Sequence, residues 1–340
     1  MNYSLTPKTF QVNEIFNPHL SEKAGEYYYY TLEKKGISHK EAVKRIGARA
    51  YFCGIKDKNA HTKQWFCTSE SVQETTEENF IIKFKGYSNE RIHVGKHKGN
   101  AFKVIIELPE KEFRALKKFK PKNAPVCNYF GEQRFSENTL EFCKVLEEKK
   151  YEDALKIFLT KKSKFDSEKS RAMKKIIEEN WGNWKKTLEN KEIIGTGKVI
   201  LFEYLEKNPK NFEEAFNYAE PKSLRILLKA AQSKRFNEKL NELAQEKKPN
   251  NLFGEINKEK IAFEANKSFK RSILIEPTEF EKKFRKTPLE RDTFFAAEKF
   301  KVKKMNEKNT VRLEFELQKG SYATVFLKFL KSWLQKNILQ

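Results

Sequence analysis

One aspartate, Asp57, lies between two lysines in the stretch YFCGIKDKNAHTKQWFC, which runs from Tyr51 to Cys67. Apolar runs on both sides predict two strands, so the polar segment between them is predicted to be a tight connection. An aspartate in a turn usually has a conformational role. Here Lys56 and Lys58 also favour the ionised carboxylate, because nearby cations lower the pKa of an acid. An ionised aspartate can act as a nucleophile.

A second cluster, PVCNYFGEQRFS, places Asn128, Gln133 and Arg134 among aromatic residues that include Phe130. Asparagine and glutamine can hydrogen-bond the edge of a nucleobase, and an aromatic ring can stack on its face. The segment is therefore either an irregular strand with buried aromatics or a base-binding pocket. Its residues alone leave both interpretations open.

Two further motifs carry weaker signals. AAQSKRFN, from Ala230 to Asn237, puts a polar stripe on a helix that otherwise has core-forming residues, and this stripe is either a solvated face or part of a site. KGSYATV, from Lys319 to Val325, is predicted to join a strand to a helix through a glycine. Such a junction offers backbone N–H groups and the positive end of a helix to an anion or a polar ring.

Composition limits the class of protein. The chain has 340 residues, 38% of them hydrophobic and 13% aromatic, which is typical of a globular protein. No apolar run approaches the ~20 residues that span a bilayer, and the first residues show no signal-peptide pattern, so we expect a cytoplasmic protein without membrane contact. The net charge of +22 favours a polyanionic partner such as nucleic acid. Only 12 of the 69 basic residues are arginine, however, and an AT-rich genome also produces many lysines.

Metal binding and disulfides are not expected. The four cysteines form no C-x-x-C pair, and no histidine lies at zinc-ligand spacing from them. His93 and His97 are four residues apart, but they lie in a glycine-containing segment that is not helical. The cysteines are therefore predicted to be reduced and structural.

Periodicity predicts a mixed α/β protein with a helical middle. Helices are predicted over 38–47, where Ser38 and Gly47 are the capping residues, over 140–159 with a break near Lys150, and over 221–247. Strict alternation predicts strands at 101–108 and 311–317, and a helix is predicted to follow with Ser321 as its N-cap. Strands near both ends indicate one sheet domain interrupted by an inserted domain.

Taken together, six motifs resemble one family. In chain order they are PKTFQVNE, GIKDKNAHTKQW, HKGNAF, NYFGEQRF, QSKRFN and GSYAT, and they extend from residue 7 to residue 325. Their order and distances resemble those of the tRNA pseudouridine synthase D (TruD) family. NYFGEQRF is the most specific of them.

The resemblance implies an activity. By similarity, Asp57 is the nucleophile that converts uridine to pseudouridine in tRNA, at uracil-13 of the D arm, on a base that has left its stack. The route implied needs no metal, no cofactor and no nucleotide triphosphate. The alternative is an RNA chaperone of the same fold that binds tRNA with little or no turnover. We expect a monomer, because no predicted helix shows an unoccupied apolar stripe.

The resemblance also implies further site residues. Phe10 and Asn128 match substrate-contacting positions, Phe130 matches the ring expected to stack near the target, and Tyr322 matches an aromatic that lines the pocket. The family often has a lysine three residues before the N-terminal proline, near the catalytic aspartate, where this chain has Ser4. The candidates for the missing charge are Lys8, Lys56 and Arg134.

The implied fold is a mixed-sheet pseudouridine synthase domain, discontinuous in sequence. Residues 1–153 and 295–340 are predicted to form it, and residues 154–294 are predicted to form an inserted TRUD-type α/β domain.

Overall fold

The computed structural model describes residues 1–163, 166–243 and 272–338. These residues divide into two compact units. The sheet unit comprises residues 1–128 and 294–338, and the helical unit comprises residues 129–243 and 272–293. In neither unit is any described helix long and apolar enough to cross a membrane. The mixed α/β fold with a mixed sheet agrees with the fold class predicted from the sequence.

Eleven strands and three helices make up the described part of the sheet unit. They are β1 (Phe10–Ile15), β2 (Tyr27–Lys35), α1 (His39–Ile46), β3 (Tyr51–Phe52), β4 (His61–Thr68), β5 (Thr75–Thr76), β6 (Phe80–Ser88), β7 (Gly99–Glu107), α2 (Glu110–Lys117), β8 (Val126–Cys127), β11 (Phe294–Phe295), β12 (Glu298–Lys304), β13 (Thr310–Gln318) and α11 (Ala323–Ile338).

Nine of these strands form one mixed sheet in the order β12-β13-β7-β1-β4-β2-β6-β5, with β3 also paired to β4. The pairing of β1 with β4 is parallel, with Gln11 opposite His61, and the other pairings in this sheet are antiparallel. β8 and β11 form a separate two-stranded pair. The parallel pairing puts the start of β4 beside the start of β1.

Aromatic rings fill the core beneath the strands on one side of the sheet. Phe10 stacks on Phe102 with ring centroids 5.9 Å apart, and Phe102 stacks on Phe315 at 5.3 Å. Phe315 in turn contacts Phe326 of α11. The alternation predicted over 311–317 is confirmed, because Val311, like Phe315, is buried within β13.

Helix α1 packs on the other half of the sheet. Its Ala42 and Ile46 join a buried cluster with Tyr30 and Phe66. The predicted caps are both present: the Ser38 hydroxyl accepts a hydrogen bond from the Glu41 amide, and Gly47 closes the helix with φ of 73°. That backbone conformation favours glycine.

The helical unit contains eight helices and two strands in its described part. They are α3 (Glu137–Glu147), α4 (Tyr151–Thr160), α5 (Glu168–Glu179), α6 (Trp184–Leu188), α7 (Val199–Lys207), α8 (Phe212–Ala215), α9 (Pro221–Leu243), β9 (Ser272–Ile275), α10 (Glu279–Lys283) and β10 (Leu289–Asp292). A separate hydrophobic core, which includes Phe142, Leu155, Phe202 and Leu228, holds the helices together. The predicted break near Lys150 is confirmed, since Lys149 adopts φ of 58°.

The compact helical unit begins at Tyr129, because α3 and α4 share its core, and the inserted domain expected over 154–294 stays a prediction. One detail differs from the sequence predictions. The C-terminal helix begins at Ala323, with the Tyr322 carbonyl accepting the first backbone bonds from Val325 and Phe326, so Ser321 is not its N-cap. The predicted 221–247 helix is confirmed to Leu243, and its last residues lie outside the described ones.

Candidate active site

The loop that carries Asp57 connects β3 to β4 in the sheet unit. The side chain of Asp57 is exposed, and one of its carboxylate oxygens accepts a hydrogen bond from the Asn59 amide at 3.0 Å. This local bond is the turn chemistry expected of an aspartate. The loop thus presents a carboxylate to solvent from a fixed backbone.

The buried side chain of Lys34 holds the backbone of the Asp57 loop in place. Lys34, at the end of β2, has no exposed surface, and its ammonium group donates to the carbonyl oxygens of Ile37 and Asp57, both at 2.8 Å. The Lys56 carbonyl lies 3.4 Å away. Burial lowers the pKa of Lys34 to about 8, while the negative charge of Asp57 acts in the opposite direction.

Sequence reasoning did not single out Lys34, although a signal was present. Side chains alternate between the two faces of a strand, and Lys34 shares its face of β2 with Tyr30 and Leu32, which are both buried. A lysine that continues a buried register needs hydrogen-bond acceptors. The strand pattern therefore indicated a buried cation at the end of β2.

Lys56 has a different environment from the one predicted. Its ammonium nitrogen lies 2.7 Å from a carboxylate oxygen of Glu14 in β1, and both side chains are buried. The other oxygen of Glu14 accepts a hydrogen bond from the Trp65 amide at 3.1 Å. Lys56 thus connects the Asp57 loop to β1 and β4, and its burial favours a structural role over substrate contact. Lys58 and Lys8 are exposed.

Glu14 also belongs to a buried cluster with Cys53 and His97. Their potential ligand atoms all lie within 4.8 Å of one another, a separation that a metal ion could bridge. Lys56 already provides a positive charge to Glu14, however, and burial raises the pKa of the Cys53 thiol to about 12. Burial and the positive charge of Lys56 both lower the pKa of His97. The ion pair of Glu14 with Lys56 connects this cluster to the Asp57 loop.

A cavity of about 440 Å³ adjoins the Asp57 loop and includes Gly54 and Ile55 in its lining. The Tyr51 ring lies in its wall, and two guanidinium groups lie over the ring, Arg91 at 4.8 Å and Arg49 at 5.5 Å from its centroid. Ile55 and Val94 are largely exposed at its rim. Cations beside apolar surface can bind both the phosphates and the bases of RNA.

The other predicted site residues of the sheet unit are less accessible. Phe10 is 7% exposed and stacked in the aromatic core, which favours a structural role. Asn128 is 2% exposed. Tyr322 is half-buried immediately before α11, at the predicted strand–glycine–helix junction.

Phe130 and Arg134 lie in the helical unit. Phe130 is buried against Phe236, with ring centroids 5.5 Å apart, and the Arg291 guanidinium lies 4.1 Å above its ring. The side chain of Asn237 bonds both to the amide of Phe130, at 2.9 Å, and to its carbonyl, at 3.1 Å. The NYFGEQRF segment is therefore fixed to α9 through its backbone.

This packing explains the polar stripe on α9. Gln232, Ser233 and Asn237 are buried, so the stripe is not a solvated face. Gln232 donates to the carbonyl of Thr287 at 2.9 Å, and Ser233 accepts from Arg134 at 3.3 Å. Buried polar groups need such partners, and here they attach irregular segments to the helix.

Comparisons with known proteins agree with these features. A family model described as tRNA pseudouridine synthase D (TruD) matches residues 5–276. A protein of Methanococcus maripaludis named "Probable tRNA pseudouridine synthase D 1" is 26% identical, over 96% of this chain and 98% of its own. The tRNA pseudouridine synthase D of Aquifex aeolicus is 30% identical, over 65% of this chain and 60% of its own. A crystal structure of a Methanosarcina mazei protein titled "Putative tRNA pseudouridine synthase D (TruD)" shares the fold, with a TM-score of 0.63 and 19% identity over 99% of this chain and 94% of that one.

Proposed function

The chain belongs to the tRNA pseudouridine synthase D family, and we propose that it isomerises uridine 13 in the D arm of tRNA, with Asp57 as the nucleophile. Membership of the family implies uridine-to-pseudouridine isomerisation in tRNA. The target position and the nucleophile are the proposal. It depends above all on the exposed Asp57 carboxylate, whose backbone is held by the buried ammonium group of Lys34.

The reaction needs one nucleophile and no change of oxidation state. The Asp57 carboxylate attacks the target nucleotide, either at the uracil ring or at the sugar C1′. The bond between N1 and C1′ breaks, the uracil turns, and a bond forms between C5 and C1′. The bond between Asp57 and the nucleotide then breaks and returns the free carboxylate. C5 then loses its proton and N1 gains one, so the product has the composition of the substrate.

The target uridine must leave its stack to reach Asp57, which costs a few kcal/mol. Stacking on an aromatic ring contributes about 1–3 kcal/mol per base. We propose Tyr322 and Asn128 as base contacts in the sheet unit, and Phe130 and Arg134 as substrate contacts in the helical unit. Lys56, which is buried and paired with Glu14, is proposed as scaffold, and the substrate contact predicted for Phe10 stays a prediction.

The decisive experiment compares wild type with Asp57→Asn on tRNA transcripts that carry 5-³H-uridine. Tritium release reports the loss of the C5 proton, and binding of the same transcripts is measured in parallel. We expect release from wild type only, with at least about a 10³-fold loss in the variant because no other group replaces the nucleophile. Affinity should stay equal or rise slightly, because one negative charge near RNA has been removed.

Asp153→Asn is the matched control, since Asp153 is an exposed aspartate on α4 in the helical unit. It should keep full release. A transcript with cytidine at position 13 should release no tritium above background. Equal release by wild type and Asp57→Asn would show that another residue is the nucleophile. Binding by both without release by either would favour the chaperone alternative.

A further inference from the structure

A cavity of about 540 Å³ in the helical unit has a strongly cationic lining. Five basic side chains contribute to it: Arg134, Arg225, Lys229, Arg285 and Lys286. No aspartate or glutamate occurs among the described residues that line it. Its volume lies within the range of pockets that hold a whole small ligand, about 300–1,000 Å³.

Four of the five basic side chains come from α9 and from the turn that follows α10. Arg225 and Lys229 are four residues apart on α9, so they lie on the same face of that helix. Arg285 and Lys286 lie in the turn after α10, where Arg285 adopts φ of 55° and the Lys286 amide donates to the Glu281 carbonyl at 3.1 Å. The left-handed conformation at Arg285 ends the helix sharply.

The cations are close enough to repel one another. Burial lowers the pKa of Lys286 to about 8, and Lys229, Arg134 and Arg225 add to the decrease. Glu281, which acts in the opposite direction, is engaged elsewhere: it forms an ion pair with Arg235 at 2.7 Å and accepts a hydrogen bond from the Thr278 amide. The positive charge of the cavity is therefore not balanced by its own side chains.

The shape and charge of the cavity fit a phosphate-bearing ligand. Guanidinium groups bind phosphate oxygens through two parallel hydrogen bonds, and three arginines contribute here. The Phe130 ring forms part of the wall, next to the polar groups of Gln232 and Ser233. Two sources of phosphate fit this chemistry, the backbone of an RNA and a free anion, and the proposed function together with the nucleotide-sized volume favours RNA.

We propose that this cavity is a phosphodiester-binding subsite for the tRNA substrate. The inference rests on the proposed function for the identity of the RNA. Binding at this subsite holds the RNA and takes no part in the bond changes. Its loss should therefore affect affinity and KM, while the turnover rate at saturating transcript should change little.

The test compares Arg225→Gln/Lys286→Gln with the control Arg171→Gln/Lys185→Gln, which removes one arginine and one lysine from exposed positions on α5 and α6. The affinity for a tRNA transcript is measured at several salt concentrations. Each lost phosphate contact reduces the slope of log K against log salt by about 0.7–0.9. We expect the cavity variant to bind about tenfold or more weakly at 0.1 M salt, with its slope reduced by about 1.4–1.8. The control should stay within about twofold.

Inorganic pyrophosphate distinguishes the two sources of phosphate. Competition between pyrophosphate and the transcript on wild type, with weaker pyrophosphate binding by the cavity variant, would support the subsite. Pyrophosphate binding at the cavity with unchanged tRNA affinity would overturn the proposal in favour of a free anion. Equal losses of affinity in the cavity variant and the control would also overturn the proposal. The removed charges would then act only through the net charge of the protein, and not through a local contact with phosphate.

Circular dichroism and thermal melting show whether the double variant is folded. If it is not, Arg225→Gln alone, at an exposed helix position, is expected to reduce the slope by about 0.7–0.9. These binding measurements do not need turnover. They test whether the cavity binds tRNA even if wild type releases no tritium. Failure of the subsite proposal can therefore be distinguished from failure of the proposed reaction.

Discussion

Lys34 holds the backbone of the loop aspartate, Asp57, in place. A fully buried ammonium group is costly unless its three protons find acceptors, and here the acceptors are backbone carbonyls that include that of Asp57 itself. The lysine therefore acts on the nucleophile through the chain that carries it. We regard Lys34 as a positioning residue.

The charge of Lys34 should be visible in the pH dependence of activity. Its pKa of about 8 means that the ammonium group loses its proton above that pH and ceases to balance the nearby Asp57 charge. We expect turnover to fall as pH rises through about 8. Lys34→Met should be slower by about 10–100-fold, as for other misplaced catalytic groups, and should lack this decline. The neighbouring exposed Lys35→Met should keep it.

The contribution of Lys34 to the free energy of unfolding should rise with pH, whereas turnover should fall. The folded pKa of Lys34, about 8, lies below its ordinary value of 10.5, so between these pH values the unfolded chain holds the proton that the folded chain has lost. The free energy of unfolding due to this group therefore rises with pH across that window. Urea unfolding of wild type and Lys34→Met between pH 7.5 and 10.5 measures the difference. A parallel pH dependence of the two proteins would contradict the assignment.

The buried pair of Glu14 and Lys56 gives a second prediction at the residue scale. Lys56→Met leaves the Glu14 carboxylate buried without its cation, and removing one partner of a buried pair costs about 3–5 kcal/mol. Glu14→Gln/Lys56→Met should recover part of this loss. Lys304→Met is the control, since its pair with Glu110 has the same 2.7 Å separation but is exposed, and it should cost no more than about 1 kcal/mol.

At the scale of elements, the approach of β7 to β13 depends on Gly99. These strands are paired along their whole lengths, and a Cβ at position 99 would overlap the carbonyl oxygen of Leu317. Gly99→Ala should therefore destabilise the fold by about 1–3 kcal/mol, as overpacking does elsewhere. Gly197→Ala, where a Cβ meets nothing within 4 Å, is the matched control. Equal midpoints of chemical unfolding for the two variants would exclude this steric account.

Local features could be predicted from the sequence because their causes are local. The caps of α1 and the alternation of β13 depend on neighbouring residues, and both were predicted. The burial of Lys34, the pairing of Lys56 with Glu14 and the burial of Asn237 depend on chain segments far away in sequence. Such long-range contacts cannot be predicted from hydrophobic periodicity or from the spacing of motifs. For the same reason the roles predicted for Phe10, Asn128, Phe130, Tyr322 and Arg134 came from family resemblance and stay predictions.

At the scale of the whole molecule, each unit has a hydrophobic core of its own. Leu155 is fully buried in the helical unit and Leu32 is fully buried in the sheet unit. Leu→Ala substitutions at such positions cost about 2–5 kcal/mol. In a Trp65→Phe/Trp333→Phe background, fluorescence comes from Trp181 and Trp184 of the helical unit.

Leu155→Ala should lower the unfolding midpoint in that background, while Leu32→Ala should leave it nearly unchanged. In that case the fluorescence of Trp181 and Trp184 reports the unfolding of the helical unit alone. Equal shifts for both substitutions would show that the two units unfold as one cooperative block.

The order of strands in the sheet has a consequence for the chain during its synthesis. β7 pairs with β13, yet β7 ends at Glu107 and β13 begins at Thr310. At a translation rate of 5–20 residues per second, the ribosome needs roughly 10–40 s to make the intervening chain. Throughout this interval one edge of β7 lacks the strand that covers it in the finished protein, and exposed edges invite pairing with other chains. The nascent polypeptide therefore passes through a period in which its own translation rate controls its risk of aggregation.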